Sequence, residues 1–388
     1  MRRYKLMIPG PVGVHKEVLS EFLKGPEAHY GTDWAEFYIE TCSRINELIG
    51  NIGGQTFLIP GSGSTGLEVA INTFLRESDN CLVLINGFFG ERLFKIAKSY
   101  SRNVEVMEFE EGDPIYPEKV GKKLSQRRYD VVLLVHCETS TGVLNPVKFI
   151  AELTSERGIL LIVDGISSVG IEEYKMKDWR IQVTVTASQK GLETLPGLSI
   201  VSVDEELLDK LDDYGERGWY TNLKVWKDYY NNWKTWHPFP VTIPTNLVRS
   251  LRKSLEMIER SGGIERRIKL HENASNMVRE AMKNVGLELF AKEGFHSHGV
   301  TSVSSRGRFE PRELVDFLKA RYGIQIAGSL GKTREHVFRI GHMGYEGTKL
   351  SSIIPLLVGI EEFLRSKGLD IPSGKILERL STITDFCG

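Results

Sequence analysis

The sequence predicts an α/β fold: a layered domain with a largely parallel β-sheet between helices, followed by a smaller α+β domain. Between about residues 55 and 205, seven short apolar runs rich in β-branched residues alternate with helix-like stretches, which is typical of strands and crossover helices. After about residue 246, long amphipathic segments replace this alternation. The seven predicted strands are 55–59, 80–85, 103–109, 129–136, 158–163, 181–186 and 198–203.

Two domains are expected from the length of the chain and from this change of pattern. A chain of 388 residues is longer than one small core requires. We place a large domain at residues 16–245 and a small domain at residues 1–15 together with 246–388. In the small domain, amphipathic helices are predicted over 246–261 and 264–285, ahead of an α+β segment.

Composition excludes several classes of protein. The chain carries 50 Lys and Arg against 51 Asp and Glu, a formal net charge of -1, so nothing indicates a nucleic-acid partner. The longest apolar runs are far shorter than the roughly 18 residues of a membrane span, and the start of the chain lacks a signal peptide, so we expect a cytoplasmic protein with no membrane partner. No metal site is predicted, because the four cysteines lack zinc or disulfide spacing. They are Cys42, Cys81, Cys137 and Cys387.

An aromatic-rich segment, residues 217–244, lies at the end of the predicted large domain. Its positions 219, 223, 226, 230 and 233 recur at helical spacing, so we expect a helix that buries an aromatic stripe. The alternative is a subunit interface, because aromatic residues are enriched in interfaces.

The most informative pair of residues is Asp164 and Lys190, each at the end of a predicted strand. Because the carboxyl ends of parallel strands share one edge of a sheet, the carboxylate and the amine should meet there. Pyridoxal 5′-phosphate (PLP) chemistry needs such a pair: a lysine that holds the aldehyde as a Schiff base and an acid that keeps the pyridine nitrogen protonated. Taken alone, each residue has a simpler interpretation, as a helix cap and as a solvated lysine.

A glycine-rich turn, Gly61-Ser62-Gly63-Ser64-Thr65-Gly66, follows the first of the seven runs. A strand, a turn and a helix start present free backbone N–H groups to an anion, with the helix dipole behind them. The same turn fits the G-x-G-x-x-G pattern of dinucleotide-binding folds, but the acidic residue expected about 20 positions later is absent. Asn86 stands there. We therefore interpret the turn as a phosphate cradle, with a plain helix cap as the alternative.

Three further motifs follow predicted strands or lie within one. Phe89, in a Gly-flanked turn, can stack on a flat cofactor, although a buried Phe is ordinarily part of a core. Residues 136–142 are densely polar, and hydroxyls at a strand end can hold a cofactor ring oxygen or a substrate carboxylate. Arg339 stands in an apolar run, where an arginine is costly to bury unless a ligand carboxylate or an internal acid pairs with it.

Taken together, these motifs resemble those of the class V aminotransferases, in particular the alanine/serine-glyoxylate (serine-pyruvate) aminotransferase group. The similarity runs in order over about residues 6–366, and it is more specific for fold-type I PLP enzymes than for their substrates. The resemblance implies a seven-stranded, mostly parallel sheet between helices and a homodimer with shared active sites. The motifs that carry it are 9–11, 61–66, 86–90, 138–142, Asp164, 188–190 and 339–344.

Carried over residue by residue, the resemblance implies the roles of the site residues. Lys190 would hold PLP as a Schiff base, and Asp164 would contact its pyridine nitrogen. Arg339 would bind the substrate carboxylate, with the backbone of Gly10 lining the substrate side and Thr139 touching the cofactor ring hydroxyl and the substrate. The remaining cofactor-binding positions are Ser62, Gly63, Ser64, Phe89, Gln189 and, from the neighbouring subunit, Thr242.

Two positions depart from the family's pattern. Phe89 stands where this group often has Trp, so it keeps a π-face but gives less overlap with the cofactor. Phe239 stands where the family often has a Tyr whose hydroxyl reaches the neighbouring subunit's phosphate. Without that hydroxyl, only Thr242 remains to reach across.

The resemblance therefore implies a transaminase that moves an amino group from alanine or serine to glyoxylate or pyruvate by a ping-pong mechanism. Aspartate, pyridoxamine or ureidoglycine remain as alternative donors. A cysteine desulfurase is disfavoured, because no cysteine lies between Cys137 and Cys387. Two hypotheses come from other classes. An NAD-dependent oxidoreductase rests on the glycine turn alone, and a non-catalytic relative is expected to lack Lys190.

Overall fold

The computed structural model describes residues 4–378, so Cys387 and both ends of the predicted small domain lie outside the described residues. No helix in this part of the chain is long and apolar enough to cross a membrane. The strands are β1 Lys5–Leu6, β2 Gln55–Gly61, β3 Cys81–Ile85, β4 Val104–Glu108, β5 Val131–Val135, β6 Cys137–Glu138, β7 Val143–Leu144, β8 Leu160–Asp164, β9 Val183–Ala187, β10 Gly197–Val203, β11 Glu288–Leu289, β12 Val300–Ser304, β13 Ile324–Gln325, β14 Ala327–Gly328 and β15 Val337–Gly341.

The helices alternate with these strands in the first half of the chain and dominate its second half. They are α1 Lys16–Leu23, α2 Thr32–Ile49, α3 Gly63–Phe74, α4 Phe88–Tyr100, α5 Pro117–Leu124, α6 Val147–Ser155, α7 Glu205–Asp209, α8 Leu223–Asn232, α9 Thr245–Arg260, α10 Gly263–Asn284, α11 Pro311–Arg321, α12 Gly344–Gly347 and α13 Leu350–Ser366. Short 3₁₀ turns occupy Leu211–Asp213, Gly331–Thr333 and Lys375–Leu377.

The large sheet has seven strands in the order β2-β10-β9-β8-β5-β3-β4, and it is parallel except at β10. All seven strands predicted from the apolar runs are present, which confirms the mostly parallel seven-stranded sheet. Strands β5 and β9 are buried along their whole length, and β8 between them is buried except at Leu160, because helices cover both faces of a parallel sheet. The carboxyl ends of β2, β3, β5, β8 and β9 therefore lie along one edge.

A second sheet, β11-β12-β15-β14, is antiparallel and packs with α10, α11 and α13 around its own apolar core. Met7, from the N-terminal segment, belongs to this core, while β1 pairs with β13. The core of the large sheet includes Val248, Leu251 and Leu255 on the inner face of α9. The boundary between residues 245 and 246 stays a prediction.

The predicted helix in the segment 219–233 is present, with Leu223 and Trp226 buried, but the predicted aromatic stripe is wrong at both ends. The helix in this segment, α8, begins at Leu223 and ends at Asn232, so positions 219 and 233 lie outside it. Trp226 is fully buried, whereas Trp219 and Trp233 are 52% and 51% exposed. Helical spacing in a sequence predicts a shared face only where one helix spans every position.

Candidate active site

Seven of the predicted site residues line one cavity of about 180 Å³ at the carboxyl edge of the large sheet. They are Ser62, Gly63, Ser64, Phe89, Asp164, Gln189 and Lys190. The other residues that line this cavity are Leu67, Arg92, Val135, Cys137, Ile166 and Ser167. The parallel strands explain the convergence, because each contributes the residues that follow its last buried position.

Asp164 is the last residue of β8, level with Val135 of β5 and Val185 of β9. It is 5% exposed, and the backbone N–H of Ile166 donates a hydrogen bond of 2.9 Å to its Oδ1. Burial raises the pKa of Asp164 to about 7, from an ordinary value of 3.8. A cationic partner at this position would restore the charged form of the carboxylate.

Lys190 lies in the turn after β9, and its Nζ donates a hydrogen bond to the carbonyl of Pro9. Burial, with a smaller contribution from the charge of Arg339, lowers the pKa of Lys190 to about 8 against an opposing effect of Cys137. Gly10 is held at φ +79°, and a Cβ built there would lie 2.6 Å from Lys190 Nζ. Only glycine leaves the lysine enough room at this approach. Because its pKa is about 8, the amine of Lys190 is close to losing its proton near neutral pH.

The glycine-rich turn leads directly into α3, with Ser62 as the N-cap residue. The Ser62 side chain makes no capping hydrogen bond, so the helix start has no side-chain cap, and its first residues, Gly63 and Ser64, line the cavity. Gln189 borders the same cavity, and among residues 4–378 its buried Oε1 has no hydrogen-bond partner. The N–H groups at a helix N-terminus suit an anionic ligand, and the amide of Gln189 can add a donor through its NH₂ group, whereas its oxygen only accepts.

Phe89 occupies the first turn of α4, where Glu138 fixes the backbone. The Oε2 atom of Glu138 accepts hydrogen bonds from the N–H groups of Phe89 and Gly90, at 3.0 and 3.1 Å. Its Oε1 atom accepts from the N–H and hydroxyl of Ser140, at 3.1 and 2.5 Å. Burial raises the pKa of Glu138, and these four hydrogen bonds oppose the shift. The carboxylate thus holds the helix start, and the Phe89 ring with it.

Arg339 and Thr139 meet beside the cavity without lining it. Arg339, in the middle of β15, is 7% exposed. Its Nε donates to the carbonyl of Gly328 at 2.9 Å, and its Nη1 donates to the carbonyl of Thr139 at 3.1 Å. Burial lowers the pKa of Arg339 to about 10, so it keeps its charge near neutral pH. No ion pair forms on it among the described residues, which leaves the guanidinium charge for a ligand.

Thr242 is the predicted residue that the structure leaves apart from the cavity. It is exposed, in the segment before α9. Phe239 is fully buried in the core of its own chain, with its ring centroid 4.8 Å from that of Tyr38. Position 239 therefore presents nothing to a neighbouring subunit, whereas Thr242 is free to do so.

Sequence reasoning missed Arg92 and Cys137 as cavity residues. Arg92 lies three positions after Phe89, on the same face of α4, and that spacing was the available signal. Cys137 lies in the polar segment 136–142, which gave no cavity role to its thiol, and its contact with Ser297 Oγ, at 3.1 Å across 160 residues, had no signal in the sequence.

Comparison with known proteins shows similarity to aminotransferases along most of the chain. A sequence model described as aminotransferase class V matches residues 27–339. An uncharacterised aminotransferase of Methanocaldococcus jannaschii is 34% identical, over 94% of each chain. A serine–glyoxylate aminotransferase of Arabidopsis thaliana is 28% identical, over 98% of this chain and 95% of that one. The crystal structure of ureidoglycine–glyoxylate aminotransferase from Bacillus subtilis superposes with a TM-score of 0.91 at 27% identity, over 99% of this chain and 98% of that one.

Proposed function

This chain belongs to the class V aminotransferases, which are PLP-dependent transaminases, and from that premise we propose that it moves an amino group from alanine or serine to glyoxylate or pyruvate. The names of two of the similar proteins include glyoxylate, which supports glyoxylate as the acceptor. The observation that carries it is the cavity in which an amine of lowered pKa and a buried carboxylate adjoin a helix N-terminus.

The residues present fit PLP. The uncapped start of α3 suits its phosphate, together with Ser62, Gly63, Ser64 and the side-chain NH₂ group of Gln189, which would donate to it. Asp164 would face the protonated ring nitrogen, which offsets the cost of its buried charge. The π-face of Phe89 would lie against the ring. When bound, PLP supplies an electron sink that stabilises negative charge at the substrate Cα.

Lys190 then has two tasks in this mechanism. Its Nζ would hold the cofactor before the substrate arrives. Once free, the neutral amine would remove a proton from the substrate Cα and then deliver that proton to the cofactor. A pKa of about 8 suits both, because an amine near neutrality can accept and donate protons. The contact with the Pro9 carbonyl gives the Nζ a fixed position.

Arg339 and Thr139 would orient the substrate. The guanidinium, fixed by two backbone carbonyls, offers its remaining N–H groups to the α-carboxylate of the donor. A substrate fixed at that end presents its Cα–H bond to Lys190 in one orientation, which favours proton loss over other bond cleavages. The same contact serves the 2-oxo acid, which carries the same carboxylate.

We also propose a homodimer in which Thr242 reaches the partner's phosphate. Three aromatic side chains near the segment before α9 are about half exposed, and such clusters are typical of interfaces. They are Tyr30, Trp233 and Trp236, at 51%, 51% and 49% exposed. Light scattering of the purified protein should give twice the chain mass. A monomer that still turns over substrate would contradict the shared site. The cytoplasmic location stays a prediction.

The donor and the role of Lys190 are tested together. Purified protein loaded with PLP is mixed with alanine, serine, aspartate, pyridoxamine or ureidoglycine, and the oxo product is measured with and without glyoxylate. We expect alanine or serine to react fastest, in a ping-pong pattern. Lys190→Ala should lower turnover by at least about 10²- to 10⁴-fold, the range typical of lost acid–base catalysis. Normal turnover in that variant would contradict the mechanism. Rapid reaction with ureidoglycine alone would favour the activity named for the Bacillus subtilis protein.

A further inference from the structure

Arg92 is a cation in the cavity that the function derived so far does not use. It lies on α4, and its guanidinium carbon stands 4.8 Å from the ring centroid of Phe89. Its Nη1 approaches Ser64 Oγ at 3.5 Å, which is long for a hydrogen bond. Within residues 4–378, no carboxylate forms an ion pair with Arg92, so most of its donors are available for a ligand.

We propose that Arg92 is a further cofactor-positioning residue: it binds the phosphate of PLP beside the start of α3. The inference rests on the proposed function and assigns a charged partner to that phosphate within one chain. Arg92 would thus make this site prefer a phosphorylated cofactor.

Charge balance is the first argument. The phosphate cradle drawn from the sequence consists of Ser62, Gly63, Ser64 and Gln189, which are all neutral. A dianion enclosed by neutral groups and one helix N-terminus lacks a full countercharge, and an arginine supplies both the charge and a planar set of donors. Arg92 is the cation whose side chain approaches this cradle, at Ser64.

The positive charge of Arg92 also influences the two reacting groups of the cavity. The charge of Arg92 acts on Asp164, where it favours the ionised carboxylate, and on Lys190, where it favours the neutral amine. Arg92 lines the cavity together with these two residues. A cation so placed is stabilised when an anion occupies the space beside it.

Arg92 also contacts the ring of Phe89. The guanidinium lies over the ring, in the range of a cation–π interaction. An arginine held on this ring has fewer conformations to lose when the phosphate binds. The same contact keeps the ring in the cavity wall, where it would face the cofactor.

The test compares two ligands that differ only in the phosphate. Apoprotein is titrated with PLP and with pyridoxal, and binding is followed by tryptophan fluorescence. For Arg92→Gln, we expect the affinity for PLP to fall about 10- to 100-fold, the range for a lost hydrogen bond to a charged group. The affinity for pyridoxal should stay unchanged. Lys98→Gln removes one positive charge from the last turn of the same helix and should match the wild type.

Each other outcome overturns a defined part of the account. A phosphate contact would be contradicted if Arg92→Gln lost affinity for PLP and for pyridoxal equally, or if it lost affinity for neither. If Arg92→Gln does not fold, Arg92→Lys, which keeps the charge, decides: a loss of a few fold for PLP alone supports the proposal, and any other pattern contradicts it. Failure of the wild type to bind PLP would instead overturn the proposed function.

Discussion

At the scale of single residues, Arg339 shows how the protein keeps a buried cation available to a ligand. Two backbone carbonyls hold its guanidinium in place, and neither neutralises its charge. A ligand carboxylate is therefore the partner that completes the site.

Arg339→Ala should mainly raise the KM for the amino donor, by about 10- to 100-fold, the range for a lost hydrogen bond to a charged group. Steady-state kinetics with the best donor would measure this change. Arg312→Ala is the matched control, because Arg312 is an arginine of the same half of the chain whose side chain is 88% exposed. An unchanged KM in Arg339→Ala would assign the substrate carboxylate to another residue.

Asp164 makes the stability of the apoprotein depend on pH. Burial raises its folded pKa to about 7, from 3.8. The stability that this group contributes is fully present below about pH 4, and it is lost as the pH rises toward 7, because the unfolded chain ionises more readily. The loss is about 4 kcal/mol at most, since one pKa unit corresponds to about 1.4 kcal/mol.

Urea unfolding between pH 5 and pH 8 measures this contribution as the difference between wild-type apoprotein and Asp164→Asn. Burial lowers the pKa of His136, His271 and His342, which makes the stability of both proteins rise with pH over the same range, and we expect a steeper rise in the variant. The asparagine variant should be the more stable apoprotein at pH 8, although it binds PLP more weakly. Identical slopes in both proteins would mean that Asp164 titrates normally in the folded state.

At the scale of elements, the first turn of α4 depends on one buried carboxylate. Glu138 accepts two backbone N–H groups of that turn and two donors of Ser140, so it joins the helix to the polar loop after β6. A negative group at a helix N-terminus also interacts favourably with the helix dipole. The position of the Phe89 ring follows from this contact.

Glu138→Gln replaces one of the two acceptor oxygens with an NH₂ group and leaves backbone donors unpaired. We expect a loss of about 1–3 kcal/mol in the free energy of unfolding and weaker PLP binding, because Phe89 moves. Urea unfolding and PLP titration would measure both. Glu91→Gln, in the first turn of the same helix, is the control and should stay within about 0.5 kcal/mol. Equal values for the two variants would remove Glu138 from this role.

At the scale of the whole molecule, a buried polar network joins the large-sheet layer to the small sheet. Glu172 accepts hydrogen bonds from Ser297 Oγ at 2.8 Å and from His298 N at 2.6 Å, and it forms an ion pair of 2.8 Å with the His298 ring. Burial alone would raise the pKa of Glu172, but these contacts lower it to about 2. Ser297 in turn accepts from Cys137, so the network reaches the wall of the cavity.

Breaking this network should destabilise the molecule more than any surface change nearby. Glu172→Gln should lower the free energy of unfolding by about 3 kcal/mol, as expected when one partner of a buried ion pair is lost. Glu173→Gln, next in sequence but with an exposed carboxylate, should change it by less than about 0.5 kcal/mol. Thermal unfolding of both variants would measure the difference, and equal melting temperatures would contradict the role of the network.

The sequence was sufficient for features that depend on local pattern and strand order. The seven strands followed from apolar runs, and parallel topology then brought residues as distant as Ser62 and Lys190 to one edge. The Glu172–His298 pair was not predictable, because 126 residues separate its members and neither lies in a motif. The aromatic spacing over 219–233 misled for the opposite reason: it was local, but no single helix covers it.

The most direct test of this account is the near-visible absorption spectrum of the purified protein, before and after addition of alanine, serine or aspartate. We expect the yellow absorption band of bound PLP in the wild type, and we expect that band to bleach with alanine or serine. Lys190→Ala should lack the band of the resting enzyme. A wild-type protein that stays colourless after incubation with PLP would contradict the assignment of Lys190 and Asp164 to the active site.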